Sequence, residues 1–191
     1  MTGQAGVSAV FLDRDGTLNV KAPEGDYVKG PDELELLPGA AAAVAELNSA
    51  RIPVLLVTNQ RGIALGRMTA SDVDRVHERL ALRLGEAGGR LDGIYICPHD
   101  SGTCDCRKPL PGLFLQAAAD HPEIDLSRAV MVGDSLSDVQ AAAAAGVRGY
   151  LVGPAAAETA RAARAAGGPV EDAVDDLATA VARILGTVSA P

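Results

Sequence analysis

The chain has 191 residues, 48% of them hydrophobic and 22% charged, and a formal charge of -8. That balance suits one domain with a full-sized core and excludes disordered and collagen-like chains. With 3% aromatic residues and no tryptophan, the core has to be built from Ala, Val, Leu and Ile, and the acidic surplus argues against a broad nucleic-acid surface, which draws on clustered Lys and Arg.

Short β-branched runs alternate with longer Ala/Leu-rich stretches of helical period, the pattern of βαβ units around a parallel sheet, so the fold class is α/β. In chain order, Met1 to Ser8 lacks the charged and apolar regions of a secretory leader, and no apolar run approaches the ~20 residues that span a bilayer. A soluble, cytoplasmic protein without membrane contact is expected. The first strand, Ala9 to Leu12, ends in Asp13-Arg14-Asp15-Gly16-Thr17. A helix over Gly39 to Ala50 leads to a strand over Pro53 to Val57, which ends in Thr58-Asn59-Gln60. Ser71 is the expected N-cap of a helix running to Ala87, and Gly88-Gly89 its stop. The strand Gly93 to Cys97 runs into a cysteine cluster and then Arg107-Lys108-Pro109, ahead of a helix over Leu113 to Asp120. The strand Ala129 to Val132 ends in Gly133-Asp134, and the helix Leu136 to Ala145 carries Asp138 in its first turn. A fifth strand spans Gly149 to Val152, the stretch from Ala155 to Gly168 fits either a helix or a covering loop, and the last helix spans Asp175 to Leu185. Neither 18–38 nor 97–109 is long enough to fold separately, so residues 1–191 form one domain with loops over its ligand site.

All three cysteines fall between Cys97 and Cys106, whereas a disulfide framework spreads an even number along a chain. Cys97 and His99 with Cys104 and Cys106 supply three thiolates and an imidazole, a set that closes a tetrahedral structural Zn2+ site. With no position left open for water, the zinc is assigned to folding the loop, where it pins Arg107 and Lys108.

The four polar clusters lie at the C-terminal ends of strands, the edge where open parallel sheets bind ligands. Together they resemble the haloacid dehalogenase superfamily, whose motifs run Asp-X-Asp-X-Thr, then Thr or Ser, then Lys, then an acidic Gly-Asp. Here these are Asp13, Asp15 and Thr17, then Thr58, then Lys108, then Asp134 and Asp138. The resemblance implies a Rossmann-like parallel sheet flanked by helices, and phosphoryl transfer in which Asp13 is the nucleophile and Asp15 the acid and base. Mg2+ would be held by Asp13, the Asp15 carbonyl and Asp134, with Asp138 supporting it, while Thr58 and Lys108 hold the phosphoryl oxygens.

The zinc-loop motif, Phe11-Leu12-Asp13-Arg14-Asp15-Gly16-Thr17 and Thr58-Asn59-Gln60 with Gly62-Ile63 look more narrowly like one branch, which holds the D-glycero-D-manno-heptose 1,7-bisphosphate 7-phosphatases and the histidinol-phosphate phosphatases. It implies that Asp26, Tyr27, Asn59, Gln60, Arg61 and Arg107 touch a small phosphorylated sugar; no segment is long enough for a cap domain, and a monomer is expected. Two features depart from the heptose pattern: the short loop from His99 to Cys104, and Ser135 where many heptose enzymes carry Lys. Histidinol phosphate is therefore the rival substrate. A nucleic-acid 3'-phosphatase lacks its basic track here, a phosphomutase its cap, and a zinc-stabilised binding module on an inactive scaffold requires a missing catalytic group that the chain does not lack.

Overall fold

The computed structural model describes residues 6–165, 168 and 170–186. Residues 1–5 of the N-terminal stretch and 166–167 of the Ala-rich stretch lie outside them. The strands are β1 (Val10–Leu12), β2 (Val54–Asn59), β3 (Gly93–Cys97), β4 (Val130–Gly133), β5 (Arg148–Val152) and β6 (Asp172–Val174), and the α-helices are α1 (Ala40–Ser49), α2 (Ala70–Gly85), α3 (Gly112–Asp120), α4 (Leu136–Ala144), α5 (Ala156–Ala165) and α6 (Leu177–Ile184).

All six strands are parallel in the order β3-β2-β1-β4-β5-β6. Chain order reverses on either side of β1, which pairs Val10 with both Val54 and Val130. In such a sheet the crevice at the reversal, beyond the C-terminal ends of the strands, is the natural ligand site. Both faces of the sheet are covered, which is why its central strands read as unbroken apolar runs. Val10, Leu12, Leu56 and Val132 pack with Leu47, Leu80, Leu84 and Val181 on one face. Phe11, Leu55, Val57 and Met131 pack with Leu113, Phe114 and Ala141 on the other. The chain's two phenylalanines meet there, Phe11 of β1 against Phe114 of α3, with ring centroids 4.9 Å apart.

The expectation of five strands is corrected to six, and the Ala-rich stretch left open resolves as α5. The expected cap of α2 is corrected as well. Thr69 caps it, accepting from the Asp72 N–H while the Asp72 carboxylate accepts from the Thr69 N–H, a reciprocal box that Ser71 is too late to form. At the other end, Gly88 has φ +81° and the Gly89 N–H donates to the Leu84 carbonyl, the left-handed stop expected of that pair. Among the described residues no helix is long and apolar enough to cross a membrane, and no second folded unit interrupts the sheet.

Candidate active site

Asp13 leaves the end of β1 with its N–H still bonded to the Val132 carbonyl, 3.0 Å away. The chain then turns at Gly16, whose φ of +92° favours glycine, and a Cβ there would run into the Asp134 carboxylate. Gly133 is constrained in the same way, because a Cβ on it would meet the side chain of Asp138. Two glycines thus let the carboxylates of Asp134 and Asp138, both after β4, lie against neighbouring backbone.

Lys108 reaches into this acidic corner from the loop after β3. Its Nζ donates to Asp13 Oδ1 at 2.8 Å, to Asp138 Oδ1 at 2.6 Å and to the Val57 carbonyl at 2.8 Å, and the residue is 3% exposed. Burial opposes the ammonium, but the two carboxylates outweigh it and raise its pKa above the ordinary lysine value. One ammonium does not neutralise two buried carboxylates, and burial, reinforced by Asp138, pushes Asp13 up to about 7 against the pull of Lys108. The Asp138 Oδ2 is engaged by the N–H and hydroxyl of Ser135, at 3.0 and 2.7 Å. Asp134 Oδ2 pairs with Lys21 Nζ at 2.7 Å, whereas its Oδ1 is buried without a partner. Carboxylate oxygens of Asp13, Asp134 and Asp138 lie within 4.8 Å of one another. An all-oxygen set with one orphaned acceptor and an excess of negative charge fits a hard divalent cation.

The Asp15 carboxylate is held from three sides. Arg14 donates to both of its oxygens, the closest contact being Nη2 to Oδ2 at 2.8 Å, Asn19 Nδ2 donates to Oδ1 at 3.0 Å and Gln60 Nε2 to Oδ2 at 3.1 Å. Burial works against the charge, yet Arg14, Asn19 and Gln60 together hold the Asp15 pKa below the usual carboxylate range. Gln60 Nε2 also donates to the hydroxyl oxygen of Thr58 at 2.9 Å, so Asp15 and Thr58 share one orienting amide.

A cavity of about 490 Å³ opens over these groups, and Asp13, Asp15, Thr58, Lys108, Asp134 and Asp138 line it. Of the residues implied as substrate contacts, Asp26, Tyr27, Asn59 and Arg107 line it too. Asn59 also clamps the Lys108 backbone, donating to its carbonyl at 3.0 Å and accepting from its N–H at 3.1 Å. Arg107 has a buried Nη1 with no partner. Gln60 lies behind Asp15, 1% exposed, and Arg61 is turned to Asp100, with Nε donating to Oδ1 at 2.6 Å. Tyr27 is seated on the turn after β2, where a Cβ on Gly62 would come within 2.9 Å of its ring.

The cysteine cluster is assembled at the end of β3. Cys97 Sγ lies 3.6 Å from Cys104 Sγ and 3.7 Å from His99 Nδ1, while Cys106 Sγ is 3.4 Å from Cys104 Sγ and 3.2 Å from His99 Nδ1. A tetrahedron with metal–ligand bonds of ~2.0–2.3 Å has edges of roughly 3.3–3.8 Å, so the four atoms already have the spacing of a metal shell. Burial pushes the Cys106 thiol up to about 12, whereas hydrogen bonds from the Arg107 backbone and from Cys106 hold Cys104 down to about 7 against burial.

Four residues of this constellation, Arg14, Asn19, Lys21 and His77, are given no role by the sequence motifs, and Asn19 is the donor to Asp15 already described. Lys21 faces Asp134, and Arg14 and His77 stand behind Asp15 with Arg14 Nη1 3.3 Å from His77 Nε2. Arg14 sits inside the first motif, and His77 interrupts the apolar face of α2 between Val73 and Leu80, which is the one signal the sequence offers for it.

Residues 7–146 match the family model of the haloacid dehalogenase-like hydrolases. The chain is 43% identical over 145 residues to the D-glycero-beta-D-manno-heptose-1,7-bisphosphate 7-phosphatase of Bordetella bronchiseptica, covering 75% of this chain and 79% of the relative. It is 43% identical over 134 residues to the D-glycero-alpha-D-manno-heptose-1,7-bisphosphate 7-phosphatase of Mycobacterium tuberculosis, covering 70% of each. Among solved structures, the D,D-heptose 1,7-bisphosphate phosphatase of B. bronchiseptica, complexed with magnesium and phosphate, superposes with a TM-score of 0.82 at 38% identity over 94% of this chain and 99% of that one. The acidic corner around Asp13, Asp134 and Asp138 and the parallel sheet thus coincide with a family match over most of the chain, and the protein belongs to the haloacid dehalogenase-like hydrolases.

Proposed function

We propose that this hydrolase removes the 7-phosphate of a D-glycero-D-manno-heptose 1,7-bisphosphate. Asp13 attacks phosphorus, the bond from phosphorus to the sugar oxygen breaks, and the leaving oxygen takes a proton from Asp15. Asp15 then takes a proton from the water that attacks the aspartyl phosphate, which frees phosphate and restores Asp13. The free protein favours Asp15 as the carboxylate, the form needed for the second step, and the negative field of the bound phosphate opposes Arg14 and favours the acid needed for the first. Lys108 and the Thr58 hydroxyl hold the phosphoryl oxygens. Mg2+, held by Asp13, Asp134 and the Asp15 carbonyl, supplies charge that offsets the repulsion between carboxylate and phosphate. Zn2+ in the Cys97, His99, Cys104 and Cys106 shell fixes the loop that presents Arg107 and Lys108.

The observation that carries the substrate assignment is Arg107, which lines the cavity beside Lys108 with a buried, unpartnered Nη1. A second phosphate supplies what that guanidinium lacks, whereas the amine and imidazole of histidinol phosphate do not. Steady-state kinetics test this. The kcat/KM for the heptose bisphosphate is expected to exceed that for histidinol phosphate by at least about 10²-fold, and Arg107→Ala to shrink the ratio through the bisphosphate alone. Equal efficiency on the two substrates overturns the heptose reading in favour of histidinol phosphate.

A further inference from the structure

Helix α2 buries a histidine for which the proposed chemistry has no use. His77 is 5% exposed, on the face it shares with Val73, Val76, Leu80 and Leu84. Burial, reinforced by the Arg14 charge, holds its pKa down to about 4, so the ring is neutral at pH 7 and its Nε2 accepts from Arg14 Nη1. Arg14 is fully buried. Its Nε and Nη2 donate to the Asp15 carboxylate, and Nη2 is also 3.3 Å from Gln60 Oε1. A planar guanidinium with all three nitrogens engaged has one orientation open to it. That orientation is fixed at the far end by a ring on α2, and neither Arg14 nor His77 lines the cavity.

We infer that His77 is a positioning residue, which aims the Asp15 carboxylate at the leaving oxygen by holding the Arg14 fork. The inference rests on the reading of Asp15 as the group that protonates that oxygen. A misaimed acid slows departure of an alkoxide, which needs its proton as the bond from phosphorus to oxygen breaks. It leaves departure of p-nitrophenolate nearly untouched, because that anion is stable without a proton. The term kcat/KM ends at leaving-group departure, so the second step does not mask the effect.

The test compares kcat/KM for a hexitol 6-phosphate with that for p-nitrophenyl phosphate in wild type, Asp15→Asn, His77→Leu and His77→Gln. Asp15→Asn is expected to lose roughly 10²-fold more on the alkyl ester than on the aryl ester, and His77→Leu about tenfold more. His77→Gln, whose amide oxygen accepts the same N–H, is expected to recover most of that loss. Equal losses on both esters in His77→Leu, with Asp15→Asn still discriminating, overturn the inference and leave the role of Asp15 standing. Equal losses in Asp15→Asn overturn both. If His77→Leu does not fold, Arg14→Lys, which keeps the charge and loses the fork, is read by the same ratio.

Discussion

Lys108→Met removes a cation held by two buried carboxylates and a buried carbonyl, with contacts of 2.6–2.8 Å. Breaking a buried ionic cluster by deleting one partner costs about 3–5 kcal/mol, because the remaining charges have neither water nor a counter-ion. For a domain of this size that corresponds to a fall in Tm of roughly 10 °C. The cost depends on pH through Asp13. Its folded pKa of about 7 lies above the unfolded value of 3.8, so between those values the folded state binds more protons. The stabilising contribution of Asp13 is therefore complete below 3.8 and lost as pH rises through about 7. Without Lys108 the folded pKa rises further, so in the variant Asp13 is already protonated at pH values above 7 where the wild-type carboxyl is ionised, while near pH 5.5 both forms carry the proton. Urea unfolding in Mg2+-free buffer should show the difference between variant and wild type to be several kcal/mol at pH 8 and clearly smaller at pH 5.5. A difference below about 1 kcal/mol, or one that is the same at both pH values, refutes the account. Turnover should fall by at least about 10³-fold at every pH, since the phosphoryl oxygens lose their fixed cation.

Asp13→Asn should abolish turnover, by about 10³-fold or more, while the far-ultraviolet dichroism stays that of the wild type, because an amide fills the same volume but is a poor nucleophile; near wild-type phosphate release would exclude Asp13 as nucleophile. Elemental analysis should find about one zinc per chain, lost in Cys104→Ser together with roughly tenfold or more in kcat/KM, since the loop that presents Arg107 and Lys108 loosens; full activity in a zinc-free preparation would contradict the assignment. Gly62→Ala should raise KM for the heptose bisphosphate several-fold by unseating Tyr27, while p-nitrophenyl phosphate hydrolysis stays within about twofold; equal effects on both substrates would place Tyr27 outside sugar recognition.

The centre of the sheet is legible because β1, β2 and β4 bury both faces and end in polar clusters, whereas β3, with Ile94 exposed on one face, is marked by its β-branched run and by the cysteine cluster at its end. The end of β2 is misplaced for the same reason. Thr58 and Asn59 look like loop but still pair with Ile96 and Cys97, because a site built at a strand end takes its polar residues from the last rungs of the ladder. Strand β6 is three residues long and begins with Asp172. It exists only because Tyr150 to Val152 offer an edge to pair with, and no local pattern encodes that. The same holds within the site. Residue types and motif order locate Asp13, Lys108 and Asp134, but the partners that set their charge come from tertiary contacts: Lys21 on Asp134, Arg14 and His77 behind Asp15, and Asp100 drawing Arg61 away.

Those contacts bear on how a chain of charge -8 binds a phosphate dianion. The Asp15 charge is matched by Arg14. That leaves the Asp13, Asp134 and Asp138 carboxylates ion-paired, among the described residues, with Lys21 and Lys108, one negative charge in excess within the cluster itself. Basic residues alone therefore do not make the positive site that composition demands, and adding more would unbalance the free protein in the opposite sense. A divalent ion reverses the sign of the corner without a change of sequence. The raised pKa of Asp13 is the same imbalance seen in the absence of that ion: burial and the Asp138 charge keep its carboxyl close to its own protonation point, and a cation would make the carboxylate the stable form.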